Sequence, residues 1–143
     1  MRTNLYRFAA GLAALLLSTL AWAGHADAIL AALMEARTNL VAMIDAPDKA
    51  AQDELYAKIT KASKAVDEAL GAALGDSANT PDQAAKYKEL KATWEDFKTT
   101  RETEIVPAVR AGKTADAKAI AAGVQAERMK KMKGLLAELG AKS

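Results

Sequence analysis

Thr80–Gly112, TPDQAAKYKELKATWEDFKTTRETEIVPAVRAG, decides the fold. It opens with Thr80-Pro81-Asp82-Gln83, a hydroxyl that can cap backbone N–H groups, a proline at the first helical position and a glutamine placed to reach back. Leu90, Trp94, Phe97, Arg101 and Ile105 then recur every three or four residues, the period of one helix face. Pro107 removes a backbone donor inside this pattern, which predicts a kink near Thr103. Gly112 is suited to end the helix. The stretch therefore predicts one long helix over 81–111, interrupted once, with a tight turn behind it.

Both flanks repeat the theme. No segment alternates apolar and polar residues at period two, so no strand is expected. The chain is rich in alanine, leucine, lysine and glutamate, all good helix formers. A first helix is expected from about Ala26 to Ile44, broken by Asp45-Ala46-Pro47-Asp48. A second runs to about Leu74 with a stripe of Leu55, Ile59, Ala62, Val66, Ala69 and Ala73, small enough to let neighbours approach closely. Gly75 to Asn79 reads as a loop. After the third helix a fourth is expected from about Thr114 to Leu139, ended by Gly140. Short turns between helices of this length give an all-α, up-down-up-down antiparallel four-helix bundle.

Residues 1–23 read as a secretory signal peptide and 24–143 as the bundle. Arg2 and Arg7 are a positive leader, Phe8 to Leu20 an apolar run, and Ala21-Trp22-Ala23 a small-x-small cleavage site. The run is short for a membrane span, which needs about 20 residues; a retained anchor is the alternative. Cleavage leaves 143 − 23 = 120 residues, enough for a single core. It also lowers Lys+Arg from 20 to 18, equal to the 18 Asp+Glu, so the exported chain is neutral overall. That gives no footprint for nucleic acid. Cysteine is absent, which excludes a disulfide framework, thiolate metal sites and covalent haem attachment. Periplasmic localisation follows from the signal.

Arginine placement carries the functional expectation. Arg37 falls between Leu33, Leu40, Val41 and Ile44; Arg101 between Leu90, Trp94, Phe97 and Ile105; Arg128 between Val124, Met132 and Leu135. A guanidinium keeps its charge, and burying it unpaired is costly. Counting residues from the turns puts Arg37 and Arg101 in one layer, with Arg128 somewhat deeper, so the three can converge on an anion such as a carboxylate. Trp94 and Phe97 read as core positions that could also wall a pocket near Arg101, and Trp94 is taken with the arginines as a candidate ligand-binding residue. Internal pairing is the other reading, with Glu35, Glu102, Glu104 and Glu127 on the same stripes as partners. A third places one stripe in a homodimer seam.

Trp94-x-x-Phe97-x-x-x-Arg101-x-x-Glu104-Ile105-x-Pro107, then Gly112, Ala117, Gly123 and Met132-x-x-Leu135-Leu136-x-x-Leu139, resembles the periplasmic four-helix-bundle sensor domain of methyl-accepting chemotaxis receptors and related kinases. The resemblance implies a ligand-binding sensor that dimerises, with an arginine of the first helix, here Arg37 followed by Leu40, holding a carboxylate. The receptors continue into a second membrane span and signalling modules, so the resemblance implies a free-standing, soluble version: a periplasmic binding protein, or a sensor piece acting through a membrane-bound signalling partner. A periplasmic b-type cytochrome bundle is the alternative, with haem b held by Met34 and Met132; the last helix lacks the histidine that family uses. No cofactor, metal site or enzymatic activity is otherwise expected. The one histidine, His25, reads as a solvated end residue, and Lys130, Lys131 and Lys133 as a solvated cluster.

Overall fold

The computed structural model describes the backbone over residues 9–142 and side chains over 24–142. Helix α1 spans Ala9–Ile44, α2 Lys49–Leu74 and α3 Pro81–Thr100. A π-helical turn, Arg101–Ile105, joins α3 to α4, Val106–Arg110, and the last helix comes in two pieces, α5 Thr114–Ala122 and α6 Val124–Glu138. The helices begin and end where the sequence places its caps. Asp48 accepts a hydrogen bond from the Ala51 N–H at the start of α2. Thr80 and Gln83 form the reciprocal capping box, which satisfies donors that a helix N-terminus otherwise leaves unpaired. Gly112 turns the chain with φ 73°, a left-handed conformation that glycine adopts without a Cβ penalty.

Cross-helix bonds fix the topology. Asp27 near the start of the described side chains accepts from the Lys142 N–H, while Asp45 at the other end of α1 pairs with Lys118 of α5. The first and last helices therefore run antiparallel. Ser63 meets Arg101 and Asp67 meets Lys98, so α2 and α3 are antiparallel too. Glu89 with Lys131 and Lys86 with Glu138 do the same for α3 and α6. Each helix packs on the next, and α6 closes the ring on α1. This is the up-down-up-down bundle read from the sequence.

One core fills the ring. Ile29, Leu33, Leu40 and Met43 of α1 meet Ile59, Val66 and Leu70 of α2, Leu90, Trp94 and Phe97 of α3, and Met132 and Leu136 of α6. Trp94 and Phe97 stack at 5.6 Å between ring centroids, and burying an aromatic of this size contributes several kcal/mol at ~25 cal/mol per Å². Among the described residues no helix is long and apolar enough to cross a membrane.

The first, third and fourth helices each differ in detail from the expected form. Pro107 does interrupt the third helix, and the interruption takes the form of a wide turn centred on Thr103, with the Val106 N–H bonded five residues back to the Arg101 carbonyl. The fourth helix is not continuous: Gly123, at φ −92° and ψ −109°, ends α5, and α6 starts immediately after it. An added Cβ at Gly123 would lie 3.1 Å from the Ala119 carbonyl oxygen, so the residue that permits the break is also the one without a side chain. The first helix runs unbroken from Ala9 through the position of the expected Ala26 start. The leader at Arg2 and Arg7 lies outside the described residues.

Candidate functional site

The three arginines point in different directions. Arg101 is 4% exposed. Its Nε donates to the Glu102 carboxylate at 2.7 Å and one Nη to Ser63 Oγ at 2.8 Å. Its guanidinium carbon lies 5.9 Å from the Trp94 ring centroid, close enough for a cation–π contact. Glu102 is held in turn by the Tyr56 hydroxyl, which donates at 2.8 Å. That bond, and then burial, raise the Tyr56 phenol above its ordinary value of 10.0. For Arg101 the internal-pairing reading holds, with Glu102 as the acid.

Next to it Asp67 accepts from Trp94 Nε1 at 2.7 Å and from Lys98 at 2.8 Å. Burial by itself works to lower the Lys98 ammonium, but hydrogen bonds to Asp67 and Glu95 outweigh it and hold the group above its usual value. Trp94 is fully buried and its one donor is satisfied, so it belongs to the core rather than to the wall of an open site. On their outer side Asp67 and Lys98 border a cleft of about 220 Å³ between α2 and α3.

Arg128 takes a second direction. It is half-buried, and it donates to Thr100 Oγ1 at 2.6 Å and to Gln125 Oε1 at 3.0 Å. Gln125 is 3% exposed and donates across to the Phe97 carbonyl at 2.9 Å. These two side chains tie the first turn of α6, just past the Gly123 break, to the last turn of α3, just before the π turn. Gln125 is a polar residue in a small-residue segment, and only its position two residues after a helix-breaking glycine hints at a buried role.

Arg37 takes the third. It is exposed, and among the described residues it makes no hydrogen bond or ion pair. The face that α1 buries is centred on Leu33, Ala36 and Leu40, which turns Arg37 and Val41 (45% exposed) to its outer edge. The expectation that Arg37 lies mid-stripe and converges with Arg101 and Arg128 is therefore corrected: no acceptor is shared by any two of the three. Alanines on both sides of α1 blur its face, and Ala36 rather than Arg37 takes the centre.

Arg37 instead borders a groove of about 370 Å³ between α1 and α5. Leu40, Val41 and Ile44 form one wall, Ala121 and Ala122 the other, with Phe97 and Gln125 at the base. The groove exists because α5 faces α1 with alanines, too short to fill the space above Leu40 and Phe97. Asp45 and Lys118, paired at 2.7 Å, close its turn end. The volume is within the ~300–1,000 Å³ common for small-molecule sites. Gln125 and Lys118 are the lining residues that stripe reading did not single out.

The methionines weighed as haem ligands do not meet in this groove. Met132 is fully buried in the core, and Met34 is half-buried on α1. His25 is half-buried and 3.3 Å from Asp76, so it ties the start of the bundle to the α2–α3 loop. Among the described residues no group of three or more acidic, histidine or cysteine side chains is placed to hold a metal ion.

No curated protein and no solved structure matches the chain. Residues 3–142, nearly its whole length, match the family described as the four helix bundle sensory module for signal transduction. The match takes in the whole Trp94–Leu139 pattern that carries the chemoreceptor-type resemblance, and the chain belongs to that family of sensory modules.

Proposed function

We propose that this chain is a secreted, periplasmic sensory module that binds a small organic anion beside Arg37 and reports occupancy to a membrane-bound signalling partner, as a homodimer and without a cofactor. The observation that carries this reading is the state of Arg37. It is a permanent cation with no internal acid, set at the rim of an apolar-walled groove, in a family of sensory rather than catalytic modules. A carboxylate there gains a charge-assisted hydrogen bond, while the groove shelters the rest of the molecule.

Arg101 and Arg128, expected as co-ligands, act in this reading as the frame. They hold the π turn and the Gly123 break in register behind the groove, with Gln125 shared between frame and lining.

A thermal-shift screen of organic acids on the wild type and on Arg37→Ala tests the site. A ligand at 100 times its Kd adds about 2.7 kcal/mol, a clear rise in Tm that the variant loses. An equal rise in both proteins, or no rise with any acid, overturns the assignment. Sedimentation with and without ligand reads the proposed dimer.

A further inference from the structure

Arg37 borders more than one opening. On its other side is a cleft of about 250 Å³, formed with Ala126, Met129, Lys130 and Lys133 of α6. Lys130 and Lys133 are exposed and form no ion pair among the described residues, whereas their neighbour Lys131 is taken by Glu89 at 2.8 Å. All three lysines are solvated, but only Lys131 has an acid beside it. Spacing of three residues puts Lys130 and Lys133 on the same side of the helix, facing α1, and Lys131 elsewhere. Three cations line this cleft and no acid does. Like charges held together repel, and one anion relieves all three.

The other opening has the opposite character. Past Arg37 the groove is walled by Leu40, Val41, Ile44 and the α5 alanines, and its far end is closed by the Lys118–Asp45 pair, which neutralises itself. From Arg37 to Ile44 is seven residues, roughly 10 Å at 1.5 Å per residue. The α1/α6 seam thus offers net positive charge at one end, about 10 Å of apolar trough, and no unpaired cation at the other.

We propose that the ligand is a linear amphipathic monoanion, its head among Arg37, Lys130 and Lys133 and its hydrocarbon chain lying along Leu40, Val41 and Ile44. This rests on the anion-sensing reading above and narrows it. A short dicarboxylate is disfavoured because the second carboxylate finds no free partner in the trough. The source is free amphiphile rather than a membrane surface, since the chain needs a walled trough to lie in.

Calorimetric titration with octanoate below its micelle concentration, beside butyrate, succinate and octylammonium, tests the proposal. Each fully buried methylene strengthens binding about fourfold, so an open trough gives about twofold per methylene from butyrate to octanoate. Lys130→Ala with Lys133→Ala weakens octanoate by about tenfold, and Val41→Asp abolishes its advantage over butyrate. All three positions are exposed, so these variants fold, as circular dichroism checks. Butyrate or succinate binding as tightly as octanoate overturns the amphiphile but leaves the small-anion site intact. Octylammonium binding as tightly overturns the cationic head site. Capture by anionic vesicles without octanoate binding places the cations at a membrane surface, and a dimer that sediments unchanged and refuses octanoate means a second copy covers the trough; either overturns the proposal. Failure of every anion at any length overturns this inference and the sensing assignment together.

Discussion

Arg101 and Arg37 sit on seams built from different material. At the α2/α3 seam Arg101 meets Ser63, Glu102 and the Trp94 ring, and Asp67 collects Trp94 and Lys98 beside it. Polar side chains of matched length give Arg101, Trp94 and Lys98 their partners there. At the α1/α5–α6 seam Arg37 meets Val41, Leu40 and a row of alanines, and the long side chains of the facing helix that border it, Lys130 and Lys133, are cations rather than acids. The same residue type thus becomes structural on one seam and available on the other. What decides is the acceptor supply of the opposing helix, not the arginine's own place in the apolar pattern.

Three perturbations test that contrast. Arg101→Met should have the largest effect. It leaves Glu102 beside the core without its cation, and removing one partner of a buried pair costs ~3–5 kcal/mol; because the Glu102 side chain is 39% exposed and keeps its bond from Tyr56, the expected loss is the smaller figure of about 2–3 kcal/mol. Urea denaturation measures it, and a loss under about 0.5 kcal/mol, the size of an ordinary surface change, would mean the α2/α3 seam is held by packing alone.

Alkaline pH comes next. The Tyr56 phenol has a raised folded value, so the folded state keeps its proton longer than the unfolded one. Its contribution is complete below the unfolded value of about 10 and is lost as pH rises through the higher folded value. Lys98, also raised, acts in the same direction. Stability followed from about pH 9 to 11 should therefore fall, and Tyr56→Phe should flatten part of the slope. An unchanged slope in that variant would detach Tyr56 from the network.

Arg37→Ala should do least, within about 0.5 kcal/mol of wild type. A cost as large as that of Arg101→Met would show that the open seam hides a partner for Arg37.

Much of the fold was legible in the chain before its structure. The end of α1 at Ile44, the Leu74 end of α2, the Thr80 capping box and the Gly112 turn follow from punctuation by Asp, Pro, Thr and Gly, whose effects are local and survive any packing. The break at Gly123 was not legible, because a lone glycine in a helical pattern is usually carried through at a cost of ~1 kcal/mol. Here the α3–α6 bonds through Gln125 and Arg128 accompany the break. The site was legible in kind but not in direction. Periodicity placed Arg101 inside, where Trp94 and Phe97 define the face. It misplaced Arg37, because in Leu-Met-Glu-Ala-Arg-Thr-Asn-Leu the alanine and the arginine compete for one angular position, and only the packed bundle shows that the smaller residue lies inward. Of the two roles open to Trp94 in the sequence, core or pocket wall, the packing gives it the core; its indole N–H finds Asp67, a residue of another helix that no stripe on α3 reveals.

The wide turn at Arg101–Ile105 has one more consequence, for how this bundle tolerates changes in length. From Phe97 the inward positions run 97, 101, 105 and 109, a strict spacing of four. On an ordinary helix each such step drifts by about 40°, and after three steps Val109 would have left the core. The broader coil absorbs the drift and keeps Val109 buried above the Gly112 corner. Deleting a single residue here would tighten the coil and swing everything up to that corner by about 100°, carrying the start of α5, and with it the alanine wall of the trough, out of alignment with α1. Grafts and indels in this stretch should therefore come in whole turns, because the odd residue sets the rotational phase of the wall opposite Arg37.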